Sequence, residues 1–198
     1  MKNNLVFFSY DDQPICFTFV LNLMFFLAKK NTSSVLFDHN QKFRRLVNYD
    51  REKRFKVFAP YCSTRKVTER VIYCFSSNQI PVEPIQLAEQ YFDYIFQYAN
   101  YQQNLPSKKF RGIMLVDLIK LNSAELIIND SLKIQHLQFI ILINFKQMNT
   151  THIAIISAIK QTYGNKIRVF IFNQYSLNRI EWSIQYEKFI TDLTNTNA

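Results

Sequence analysis

Glycine is almost absent from this chain: only Gly112 and Gly164 occur in 198 residues. Loops that cradle phosphate groups are built from glycine, because converging backbone N–H groups need its conformational freedom. So low a count therefore weighs against an ordinary nucleotide loop. Cysteine is sparse, odd in number and spread along the sequence, at Cys16, Cys62 and Cys74, with no C-x-x-C. The three histidines, His39, His136 and His152, stand alone. A zinc site or a disulfide framework is not expected from this pattern; it reads as scattered buried thiols in a reducing compartment. No G-x-S-x-G, H-E-x-x-H or G-x-G-x-x-G is present, which removes the common hydrolase, metalloprotease and dinucleotide signatures. Cys16 has no histidine near it in sequence and lies in an apolar stretch, so a nucleophile's role is not expected of it.

A membrane-length apolar run is also missing. The longest candidate, Ile15–Ala28, is about 14 residues against the roughly 20 that span a bilayer. Asp11 and Asp12 precede it, where a signal peptide carries positive charge, and Asn22 interrupts it. A buried helix is the reading favoured by length and flanks; a membrane-associated helix is the alternative.

What is present is a globular composition, 48% apolar and 20% charged. A chain of this size buries roughly 70% of its unfolded surface and needs no staple. One domain over residues 1–193, followed by a frayed tail at 194–198, is expected. The charge is uneven. Between Lys42 and Arg70 stand ten basic residues, among them Lys42, Arg44, Arg45, Arg51, Lys53, Arg54 and Lys56. Only Asp50, Glu52 and Glu69 oppose them, so this stretch carries seven of the formal net charge of +9. It reads either as a solvated basic face or as a surface for nucleic acid, anionic lipid or an acidic protein.

Short apolar runs punctuate the chain at Leu5–Ser9, Val35–Phe37, Val71–Phe75, Ile113–Val116, Phe139–Ile143 and Val169–Phe172. Runs this short and apolar on both faces suit parallel strands covered by helices. Helices are expected between them over Phe17–Lys30, Pro84–Gln102, Thr150–Tyr163 and Asn178–Leu193. Asn149 would cap the third at its start, and Gly164 would follow its end. The fold class is therefore α/β, with a mainly parallel central sheet of roughly six to eight strands and helices on both faces. The layout alone is also that of flavodoxin-like and response-regulator-like sheets, and it carries no function by itself.

The order of particular elements says more. A strand, loop and helix over Asn4–Leu27 contain Leu21-Asn22-Leu23. A second strand closes on Asp38-His-Asn40-Gln41. Later strands end in Asp117 and in Asn173. This series resembles the ParA/MinD family of deviant Walker A ATPases, which position plasmids, division sites and secretion machinery. The resemblance spans nearly the whole chain and implies a P-loop NTPase fold. In that family the loop reads KGGxGKT, the second strand ends near D-x-D-x-Q, the Walker B strand ends in Asp, and a late strand ends in a base-contacting Asn. Aligned on Leu21-Asn22-Leu23, the signature lysine falls on Asp11 and the paired glycines on Asp12 and Gln13. Pro14 follows. The next glycine falls on Ile15, the phosphate lysine on Cys16 and the magnesium-binding hydroxyl on Phe17; Thr18 matches only with a shift of one residue. Asp38, Asn40, Asp117 and Asn173 remain as remnants of the other motifs.

The resemblance thus implies a pseudo-ATPase with no cofactor, no metal and no catalytic residue, located in the cytoplasm of a bacterial cell. Its partners would be proteins, including a second copy or an active relative, in positioning, partition, secretion or polysaccharide machinery. The basic segment adds DNA or an anionic membrane surface as an alternative partner. A residual enzyme working through Asp38 or Asp117 has no positive support.

Overall fold

The computed structural model describes residues 3–9, 14–41, 56–100, 110–118, 138–144, 147–164, 167–172 and 184–195. Eight strands make one sheet: β1 (Asn3–Ser9), β2 (Ser34–Asp38), β3 (Ser63–Thr68), β4 (Val71–Phe75), β5 (Tyr94–Asn100), β6 (Arg111–Asp117), β7 (Gln138–Asn144) and β8 (Ile167–Phe172). Their order is β3-β4-β2-β5-β1-β6-β7-β8. All neighbours run parallel except β3, which lies antiparallel to β4 at one edge.

Among the described residues four helices flank the sheet: α1 (Pro14–Lys29), α2 (Val82–Ala88), α3 (Thr150–Tyr163) and α4 (Ile184–Asn195). Alternation along each strand sorts side chains to two faces. On one face, Leu5, Phe7, Leu36, Tyr73, Phe96, Ile113, Leu115 and Phe170 pack under α1 and under Tyr186 and Phe189 of α4. The other face is covered in two patches. Val6, Met114, Val116 and Ile141 lie with Ile159 of α3, and Val35, Phe37, Ile72 and Ile95 lie with Ile85 and Ala88 of α2. Strands buried on both sides explain the short continuous apolar runs.

Helix α1 is apolar nearly all round, with twelve of its 16 residues buried, as a helix enclosed between sheet and neighbouring chain must be. It ends in a Schellman-type turn. Asn31 takes a φ of 67°, and the N–H of Thr32 reaches the carbonyl of Leu27 at 3.0 Å. No helix among the described residues is long and apolar enough to cross a membrane. Helix α3 begins and ends where the sequence indicates. Asn149 Oδ1 accepts from the His152 N–H at 3.0 Å, His152 Nδ1 accepts from the Asn149 N–H, and Gly164 follows with a φ of 55°.

Two sequence expectations need correction, and one strand was not foreseen. The helix expected over Pro84–Gln102 is short: α2 stops at Ala88, and 94–100 forms β5, beside β1 in the middle of the sheet. Leu87, Tyr91, Tyr94 and Ile95 suggested a helical period, but Tyr94-Ile-Phe-Gln-Tyr is β-branched and aromatic, and here pairing with β1 and β2 wins. Strand β3 lacks an apolar run because it is an edge, and its Arg65 and Lys66 suit that place. Helix α4 extends through Asn195, so Thr194 and Asn195 are helical rather than tail; the start of the helix expected from Asn178 lies outside the described residues.

Candidate functional site

In a sheet of this topology, loops gather at the carboxyl ends of the parallel strands. Asp38 closes β2 and Asp117 closes β6, so both lie at that edge. Alternation puts both on the face that carries α1, beside Leu36 and Leu115 respectively. Asn173 follows β8 and lies outside the described residues, as do Asp11, Asp12 and Gln13.

Asp38 is fully buried and extensively bonded. Its Oδ2 accepts the Tyr73 hydroxyl at 2.5 Å. Its Oδ1 accepts the backbone N–H groups of Asn40 and Gln41 at 2.9 and 3.0 Å. The carboxylate therefore organises the turn after β2, where Gln41 is held at a φ of 56°. Asn40 contributes its backbone to this turn.

The head of α1 faces the same region. Pro14 opens the helix, where its missing N–H costs nothing. Ile15, Cys16 and Phe17 are buried. The Phe17 ring meets Tyr98 edge-on at 5.3 Å between centroids and Tyr73 at 6.2 Å. Thr18 turns its hydroxyl back to the carbonyl of Pro14 at 2.7 Å. A chain of contacts thus links α1, β4, β5 and β2 through Phe17, Tyr98, Tyr73 and Asp38. The tyrosines escaped the sequence reading, and their spacing carries no motif that would have revealed them.

A second polar group crosses the opposite face. Gln97, fully buried in β5, donates to Asn4 Oδ1 at 2.9 Å and meets His39 Nε2 at 3.1 Å. Burial holds the His39 pKa below its ordinary 6.5, with the Gln97 bond opposing. His39 stands alone in sequence but not in space. The one legible signal was Gln97 itself, a polar residue interrupting an apolar strand.

Of the basic segment, Lys42, Arg44, Arg45, Arg51, Lys53 and Arg54 lie outside the described residues, and Lys56 is exposed in a 3-10 turn. Arg65 lies over the Phe75 ring, and Lys66 pairs with Glu69. Among the described residues no cluster of His, Cys, Asp and Glu could hold a metal ion.

No protein-family model matches the chain, and no curated protein matches it. Solved structures do. A putative plasmid partition protein from Borrelia burgdorferi B31 bound to AMPPNP is 16% identical over 100% of both chains, with a TM-score of 0.58. The MinD cell division protein of Aquifex aeolicus is 13% identical over 98% of this chain and 86% of that one, at 0.57. The pNOB8 ParA protein bound to nonspecific DNA is 8% identical over 98% and 93%, at 0.57. With its mostly parallel eight-stranded sheet and helices on both faces, this chain has the ParA/MinD-like fold of the plasmid partition and cell division proteins.

Proposed function

We propose that this chain is a pseudo-ATPase of ParA/MinD fold that works by binding other proteins, as a scaffold or regulator of positioning, partition or secretion and polysaccharide machinery. The observation that carries the reading is the packing of Phe17 against Tyr73 and Tyr98, with Asp38 tied to Tyr73. In the register set by Leu21-Asn22-Leu23, Phe17 stands where a magnesium hydroxyl is needed and Cys16 where a phosphate lysine is needed. These residues do not suit a magnesium–triphosphate. An aromatic ring offers no ligand, and a buried thiol supplies no cation. Asp11 and Asp12 add like charge; near the surface, each contact with phosphate at 4 Å costs roughly 4 kcal/mol at an effective dielectric of 20. Micromolar affinity amounts to about 8 kcal/mol in total, so two such contacts offset it. The partner is a second copy, an active relative or another protein in the bacterial cytoplasm.

Isothermal titration of the full chain with ATP and magnesium tests this reading. The expected result is no heat of binding at micromolar nucleotide. Clear micromolar binding overturns it.

A second reading, nonspecific DNA binding through the 42–70 basic segment, is favoured by the clustered charge and by the likeness to a ParA protein that was solved on nonspecific DNA.

A further inference from the structure

Cys62 and Cys74, twelve residues apart in sequence, lie together in the fold. Cys74 belongs to β4, and Cys62 stands in the bend just before β3. The antiparallel register sets Ser63 opposite Phe75 and Thr64 opposite Cys74, which makes Cys62 and Cys74 diagonal neighbours across the hairpin. Both side chains enter the same apolar cluster as Phe37, Phe58 and Ile72, and each thiol lies near enough to shift the other's ionisation. Both are free. The third cysteine, Cys16, lies in α1 on the other face of the sheet, out of reach.

We propose that Cys62 and Cys74 are a reversible oxidation site at which hydrogen peroxide forms a disulfide, locking the edge hairpin to the turn before it. The two thiols differ in a way that orders the steps. Cys62 is 7% exposed and Cys74 not at all, so peroxide meets Cys62 first. The neighbouring Cys74 thiol holds the Cys62 thiol below its ordinary pKa against the effect of burial. Burial, then the Cys62 partner, pushes Cys74 well up. Cys62 therefore supplies the thiolate. Its sulfur takes one peroxide oxygen, the O–O bond breaks, and the departing hydroxide is protonated to water. The Cys74 sulfur then attacks the Cys62 sulfur as the S–O bond breaks, and its thiol proton leaves with that oxygen as a second water. Two thiols and one peroxide give one disulfide and two waters.

A diagonal pair is at the long end of disulfide reach. Cys62 lies outside the strand ladder, in a bend anchored by its N–H to the Phe58 carbonyl, which leaves it room to close the gap. The same turn begins at Lys56.

The test treats the full, reduced chain with hydrogen peroxide, blocks remaining thiols and digests with trypsin without reductant. Arg65, Lys66 and Arg70 separate the two cysteines, so they fall on different peptides. Titratable thiols should fall from three to one, with a peptide pair joining Cys62 to Cys74, about 2 Da lighter than the two free peptides, that dithiothreitol separates. Cys16→Ser should leave the pair intact, and Cys74→Ser should accumulate a sulfenic acid at Cys62 that dimedone traps. If Cys74→Ser fails to fold, the digest of the unaltered chain decides. Three thiols surviving peroxide, conversion of Cys62 to sulfinic acid without a cross-link, or a pair containing Cys16 would each overturn the proposal.

Discussion

Asp38 illustrates how one carboxylate is held at the edge of a parallel sheet. Bonds from Tyr73, Asn40 and Gln41 reach both oxygens in a place that water does not reach. Removing the Tyr73 hydroxyl leaves Oδ2 with a weaker set of partners. Tyr73→Phe should lower stability by about 1.5–3 kcal/mol, the range for hydrogen bonds to charged groups, read by urea unfolding. A change within a few tenths of a kcal/mol would mean the bond is dispensable. His39 makes a pH prediction. Burial lowers its folded-state pKa below 6.5, so protonation favours the unfolded chain. The folded state is unaffected above about pH 6.5 and loses stability as pH falls through that value toward the folded pKa. Unfolding midpoints compared at about pH 7.5 and about pH 5.5 should drop more for the unaltered chain than for His39→Gln. Equal drops would remove His39 from the account.

At the scale of elements, α1 carries the question of nucleotide. Its first turn is Pro-Ile-Cys-Phe, and from Ile15 to Met24 every residue is buried. A helix packed this way has no room for a charged side chain at its head. Cys16→Lys, the single change that restores a lysine at the phosphate position, should give no ATP turnover, because the glycines and the magnesium hydroxyl are still missing. It should also destabilise the fold by several kcal/mol, the cost of an unpaired buried charge, seen as a lower thermal midpoint. Measurable hydrolysis by this variant would show that the register is misplaced.

For the whole molecule, the open matter is what the positive charge meets. Non-specific DNA binding depends on counterion release and falls by roughly 0.9 log unit per log salt for each phosphate neutralised. If the segment binds DNA, the full chain should be retained on it at low salt, with little sequence preference, since the sequence carries no base-reading motif. Reversing Arg44, Arg45 and Arg54 to Glu should then abolish retention, and the thermal midpoint should barely move if these charges are exposed. Absence of retention at low salt would direct the segment to a protein or lipid. Collapse of folding in the triple variant would mean that these arginines are buried in structural pairs.

The sequence by itself determined most of the sheet. Six runs announced strands, five of them inner strands that are buried on both faces and so apolar throughout, and Asn149 and Gly164 marked α3 because caps are local chemistry. The placement of Asp38 and Asp117 at one edge followed from strand order and parallel direction. Tertiary structure decided the rest. Tyr94–Asn100 became a strand because the centre of the sheet had a place for it, against its apparent helical spacing. Edge strand β3 gave no apolar signal because it needs none. The bonds from Tyr73 to Asp38 and from His39 to Gln97, and the meeting of Cys62 with Cys74, join residues from different strands and turns. Such contacts are set by which strands become neighbours, and pairing of that kind leaves no periodic mark on the chain.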